Sequence, residues 1–250
     1  MNPMKSTPPR PEIADSPIRH IVAEHLREGE GRLTTDDIVL VLQEAIVRGI
    51  YAPGRALRQD ELALILGVSK IPVREALRTL QANGFVDLPH NRGAVVKELT
   101  LSQLREAFDL RQMLEPQLMR AAVPKLDEAT LLDAEALVRR MDGERNAWAF
   151  SKLNARFHRL LYEAADKPLS MQILGMLQGH IQRMSFMQLS LSGLNRSANE
   201  DHREIVAACR TRDAEAAARL VAEHVDTVKN IVLSLYDQHY TDSATTDEAA

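Results

Sequence analysis

The sequence predicts a mainly α-helical protein, and three observations carry that expectation. Aromatic residues make up only 4% of the 250 residues. The alternating, β-branched stretches that a sandwich or barrel needs are nearly absent. Apolar residues recur instead at helical spacing, as in Ile38, Leu42, Ala45 and Ile46. With 45% hydrophobic content the chain can fill one large or two ordinary domains, which excludes disorder along its whole length.

Residues 1–17 hold five prolines and little to bury, so they read as a disordered arm. Ile18, Ile21, Val22 and Leu26 follow at helical spacing and give one short amphipathic helix, a packing element that completes an N-terminal region of residues 1–33. Residues 241–250 are small and polar and read as a disordered tail. The single cysteine, Cys209, excludes an intrachain disulfide framework and a cysteine-based zinc cluster and suits a reducing compartment. No apolar run reaches the roughly 18 residues of a membrane helix, and no signal-peptide core opens the chain. The expected address is the cytoplasm, without membrane association.

Residues 34–99 read as a small, locally basic module. Thr35 can cap a helix from Asp36 to about Gly49, which Ala52-Pro53-Gly54 ends. A second helix spans Gln59–Leu66, Gly67-Val68 is a turn, and Ser69 can cap a third helix running to Asn83, with Gly84 beyond it. Pro72 falls in the first turn, where its missing N–H costs nothing. Val73, Ala76, Leu77 and Leu80 face inward while Lys70, Arg74 and Arg78 repeat every four residues on another face. Phe85–Leu88 and Ala94–Lys97 can pair as a hairpin around a basic tip containing His90, Asn91 and Arg92. From Gly67 to Lys97 five bases stand against two acids, although the whole chain carries a net charge of -4. Together these elements make a winged helix-turn-helix, with the third helix entering a major groove and the wing touching backbone or minor groove. One such module offers little surface for specific affinity, so a homodimer on a palindromic double-stranded operator is expected.

The segments "GVSKIPVREALRTLQANGFV" and "HNRGAVV" closely resemble the DNA-binding module of the GntR superfamily of bacterial transcriptional regulators, from about Asp36 to Val96. The resemblance implies operator contacts at Arg74, at Lys70 where many members carry arginine, and at His90 and Asn91 in the wing. Arg58, just before the second helix, is a further candidate for phosphate contact. Lysine lacks the bidentate fork that suits guanine.

Residues 100–240 read as six helices with short links, an antiparallel bundle. The first is capped by a Thr100–Gln103 box and runs to about Val123. The others span Asp127–Met141, Trp148–Ala165, Pro168–Leu191, Ala198–Arg210 and Asp213 to about Gln238. Asn154 and His158 are four apart and share a helix face. His202 and His224 lie about ten and eleven residues on either side of the turn at Thr211–Asp213, so on antiparallel helices they stand at nearly equal height. Three imidazoles and an amide oxygen converging inside a bundle suit a divalent transition metal, with zinc favoured and nickel or manganese as alternatives.

The segments "NARFHRLLYEAADKP", "DHREIV" and "EHV" resemble the FCD effector domain of the FadR-like GntR subgroup, whose metal-binding branch carries aspartate and three histidines at this spacing. Asn154 stands where aspartate is commoner, which removes a negative charge, weakens metal binding and favours an anion. Leu104, Arg111 and Leu118 share a stripe with Phe108, so Arg111 points inward and needs a partner. That partner is either Glu115, four residues on, or a ligand carboxylate beside the metal. Arg183 and His180 are further candidates for the effector, expected to be a small organic acid. The competing functions are a metal-dependent hydrolase using the histidines, against which the chain has no HExxH and no PCxxC, and a regulator whose bundle binds its effector without metal.

Overall fold

The computed structural model describes residues 17–27, 33–89, 93–97, 100–192 and 195–247, with the side chains at 180, 182–192, 195–198 and 237–247 left aside. The chain divides into two compact units, Met1–Glu98 and Leu99–Ala250.

The first unit contains α1 (Ile18–Arg27), α2 (Thr35–Val47), β1 (Ala56–Leu57), α3 (Gln59–Leu66), α4 (Lys70–Ala82), β2 (Val86–Asp87) and β3 (Ala94–Val96). The cap of α2 is Thr34, one residue earlier than expected. Its side chain accepts from the Asp37 amide at 3.2 Å while Asp37 accepts from the Thr34 amide at 2.8 Å, a reciprocal pair that Thr35 could not form. These bonds hold the Asp37 carboxyl below its ordinary range. Gly67 adopts a left-handed backbone with φ of 68°, which turns α3 sharply into α4. Ser69 occupies the N-cap position of α4 without a side-chain cap bond. The expected hairpin has a third member: β1 pairs antiparallel with β3 on the side opposite β2, with Leu57 facing Ala94 and Val86 facing Val96. Two residues are too few to show strand alternation in a sequence, so β1 was not expected. The wing tip, with His90, Asn91 and Arg92, lies outside the described residues.

Helix α1 is integral to this unit. Ile18, Ile21 and Val22 are buried, and α1 packs on α2 and α3. Glu44 of α2 is also buried, and its carboxylate is held by His25 of α1 at 3.1 Å and Arg48 at 2.5 Å. The burial of α1 therefore comes with a polar register that fixes how it sits.

The second unit contains α5 (Leu101–Ala122), a 3-10 turn at Val123–Lys125, α6 (Glu128–Gly143), α7 (Ala147–Glu163), α8 (Pro168–Ser192), α9 (Asn195–Arg210) and α10 (Ala214–Asp247). The capping box of Thr100 and Gln103 is formed. Successive helices α6 and α7, α7 and α8, and α9 and α10 pack as neighbours, and α5 packs against α7, α8 and α10. The core between them includes Leu104, Phe108, Leu118, Phe157, Leu161, Ile205 and Val221. Cys209 is part of it, 3.9 Å from the Met119 sulfur, and burial pushes its thiol up to about 12. Helix α10 runs to Asp247, through most of the segment expected as a disordered tail; polar residues lower apolar contact but do not break a helix that already has a long packed stem. Among the described residues no helix is long and apolar enough to cross a membrane.

Ile21→Ala should remove packing beneath α1 and lower the stability of the first unit by about 2–5 kcal/mol, measured as faster amide exchange in α2 and an earlier urea transition.

Candidate metal centre and nucleic-acid interface

Three helices bring His158 (α7), His202 (α9) and His224 (α10) together in the core of the second unit. Their ring centroids are 5.1 Å apart for His158 and His202, 5.3 Å for His158 and His224, and 5.0 Å for His202 and His224. One nitrogen from each ring lies within 4.8 Å of the others. All three rings are buried, and Phe157 closes one side with its centroid 4.7 Å from His202.

The surrounding oxygens settle which nitrogens face inward. Nδ1 of His224 lies 2.9 Å from the Asp201 carboxylate, which can only accept, so Nδ1–H donates to it. Nδ1 of His202 lies 3.4 Å from the Asn199 amide oxygen. The orientation of that amide is fixed because its nitrogen donates to the Val138 carbonyl at 3.1 Å and to Asp142. Nδ1 of His158 lies 3.4 Å from the Tyr162 hydroxyl, whose proton goes to Glu115 at 2.7 Å, leaving the hydroxyl oxygen as acceptor. Each ring therefore carries a proton on Nδ1, which leaves Nε2 as the nitrogen available to a ligand. Nε2 of His158 and Nε2 of His202 are buried without a hydrogen-bond partner. Two orphaned acceptors and a third imidazole within ligand reach fit a divalent cation.

Burial, followed by the neighbouring rings and Arg111, holds His158 well below the ordinary imidazole range; burial, His224 and Arg203 do the same for His202. Both rings are neutral at pH 7, the form a metal requires. Burial and the Glu115 carboxylate push the Tyr162 hydroxyl well above the phenol range, so it remains a proton donor.

Arg111 on α5 is 8% exposed and donates from Nε to Glu115 at 2.5 Å. Of the two partners expected for it, the internal one is formed. The guanidinium also lies over Phe108, 5.4 Å from the ring centroid. The pair itself uses only Nε, leaving the Nη edge for a second acceptor. Asn154 lies one turn before His158 on α7 and is half-buried. His180 and Arg183 lie on α8, and their side chains fall outside the described residues. Tyr162, Asn199 and Asp201 were not singled out in the sequence. Two of them carried a signal there, since Tyr162 is four residues after His158 and Asn199 three before His202, each sharing a face with its histidine.

In the first unit Arg58 sits at the N-cap of α3, and Lys70, Arg74 and Arg78 project from α4; all four are exposed. Lys70 is paired with Asp60 at 2.7 Å.

A glycine-turned helix pair with an exposed basic helix, followed in the chain by a helical unit built around a buried polar centre, is the arrangement of a DNA-binding regulator with a second, helical domain. Residues 34–96 match the gntR family of bacterial regulatory proteins, and residues 106–227 match the FCD domain. The HTH-type transcriptional repressor RspR of Escherichia coli K12 is 27% identical over 205 residues, 81% of this chain and 90% of that protein. The Probable D-xylose utilization operon transcriptional repressor of Paenarthrobacter nicotinovorans is 30% identical over 201 residues, 78% of this chain and 88% of that protein. The solved structure of E. coli McbR/YncC shares the fold, with a TM-score of 0.68 at 23% identity, over 81% of this chain and 98% of that one. The chain belongs to the GntR family of bacterial regulatory proteins, with an FCD domain at its C-terminal side, and is a DNA-binding transcriptional regulator. Its relatives and both domains are those of regulators, which sets aside the hydrolase reading.

The depressed histidines make the metal-free protein acid-sensitive. Their folded-state values lie below the ordinary value of 6.5, so as pH falls the unfolded chain takes up protons first. The stability these two rings contribute is present above the ordinary imidazole value and is lost as pH falls toward the folded-state values. Thermal unfolding of chelator-treated protein should show Tm falling between about pH 7 and pH 5, with a flatter profile in H202N.

Proposed function

We propose that this regulator binds a palindromic operator as a homodimer, and that a small carboxylate effector, held at a divalent metal in the C-terminal unit, modulates that binding. The observation that carries the reading is the set of three buried imidazoles, each with a ring nitrogen within 4.8 Å of the others, of which Nε2 of His158 and Nε2 of His202 are buried without a partner.

In this reading His158, His202 and His224 hold the metal, with the Asn154 side-chain oxygen as a weak fourth donor. A set of three imidazole nitrogens and one amide oxygen favours zinc, with nickel or manganese as alternatives. A bound metal supplies undiminished positive charge, because none of these donors is anionic. A carboxylate balances that charge, and the Nη edge of Arg111 clamps it; His180 and Arg183 on α8 are proposed as further contacts. Helix α5 carries Arg111 and follows the winged module directly in the chain, so a filled site that favours one arrangement of α5 biases the DNA-binding unit. Such coupling is reciprocal: operator must change effector affinity by the factor by which effector changes operator affinity. The protein works where its DNA is, in the cytoplasm.

On DNA, α4 enters the major groove. Arg74 reads bases, Lys70 and Arg78 support it, Arg58 holds phosphate, and His90, Asn91 and Arg92 supply the wing contact. Arg58→Ala should weaken binding on all duplexes and lower the salt slope by about one. Arg74→Ala should also erase preference for the operator; retained selectivity would place α4 outside the groove.

Tag-free protein should contain about one divalent metal per chain by elemental analysis, lose it to chelator and recover it from added zinc, whereas His158→Ala should not recover it. Asn154→Asp should tighten the metal. Calorimetric titration of a carboxylate panel should find a binder whose affinity falls in Arg111→Ala and changes with operator present. No metal uptake, or carboxylate binding indifferent to Arg111→Ala, would overturn the site.

A further inference from the structure

Helix α4 carries one large apolar side chain where it meets solvent. Ile71, the second residue of the helix, is 61% exposed. The buried side of α4 is set by Val73, Ala76, Leu77 and Leu80. At about 100° per residue, Ile71 stands roughly half a turn from the centre of that side, pointing directly away from the core. Arg78 lies about 20° from it around the axis and Arg74 about 60°. A duplex held by these two exposed arginines therefore meets Ile71 as well.

Isoleucine can neither donate nor accept a hydrogen bond, so it has nothing to offer a phosphate or most base edges. The one apolar group displayed by base pairs in the major groove is the C5 methyl of thymine. The β-branched side chain is already stiff at χ1 and loses little freedom in such a contact. The preceding residue, Lys70, forms an exposed pair with Asp60 at 2.7 Å and lacks the bidentate fork of arginine. At the start of α4, Ile71 therefore adds an apolar contact that Lys70 cannot make.

We propose that Ile71 is a base-reading residue, selecting a thymine in each operator half-site by contact with its C5 methyl. The proposal rests on α4 entering the groove, and its test separates the two. Full-length protein is used to enrich binders from a random duplex pool, and each thymine of the enriched duplex is then replaced in turn by uracil, which removes the methyl and keeps the pairing. Burial of one methyl predicts roughly fourfold weaker binding by fluorescence anisotropy for one position in each half-site. The same replacement should leave Ile71→Ala unaffected and still weaken Ile71→Val. If no uracil replacement matters, or if Ile71→Ala responds as wild type does, Ile71 does not read thymine. Should Arg74→Ala keep full selectivity for the enriched duplex, the placement of α4 in the groove fails and takes the proposal with it.

Discussion

Three imidazoles are buried side by side, and each must give its Nδ1–H to something. That constraint organises the second unit more than any single apolar contact. It draws Asp201 and Asn199 from α9, Tyr162 from α7 and, through Tyr162, Glu115 and Arg111 from α5. Asn199 is itself anchored on α6 by the Val138 carbonyl and Asp142. Five of the six helices are thereby tied to one polar centre, whose register sets how they pack. A core of Leu and Val alone tolerates small rotations of its helices; a chain of directional bonds does not.

The first unit obeys a different logic, in which local signals suffice. A capping box starts α2, a left-handed glycine turns α3 into α4, and the buried stripe of α4 leaves its basic face outward. The function of this unit depends on charge and shape at a surface, so its informative residues are the exposed ones. Among the described residues the strong exception inside is Glu44, where a buried carboxylate shared with His25 makes α1 part of the module.

Those two logics explain what could be read in advance. Helices α2 to α10 and the meeting of His158, His202 and His224 follow from periodicity and from equal distances about a turn, both properties of the chain alone. The exposed basic face of α4 follows in the same way. What the sequence hid depends on tertiary partners or on very short elements. Strand β1 is two residues long and exists only because β3 lies beside it. Asp201 neighbours His202 in sequence yet serves His224 on the next helix, a pairing no spacing rule gives. The choice of Thr34 over Thr35 turns on which residue Asp37 can answer. Arg111 had two sensible partners at sequence level, and the four-residue spacing to Glu115 decided it because both side chains start on the same face of α5.

The Arg111–Glu115 pair also changes the electrostatic character of the proposed site. Had Arg111 stood unpaired beside the three rings, an anion alone could have answered its charge. Paired with Glu115, it brings almost no net charge, and the buried ensemble of rings, tyrosine and ion pair is close to neutral. A divalent cation then introduces two positive charges, and Asp201, 36% exposed at its side chain, answers only part of that through His224. With asparagine at position 154 the donor set supplies no further negative charge. In the proposed reading the balance is completed from outside by the effector's carboxylate, so metal and effector each lower the cost of burying the other. Occupancy of the two is then cooperative, and a centre assembled from neutral protein donors becomes a sensor for the anion that completes it.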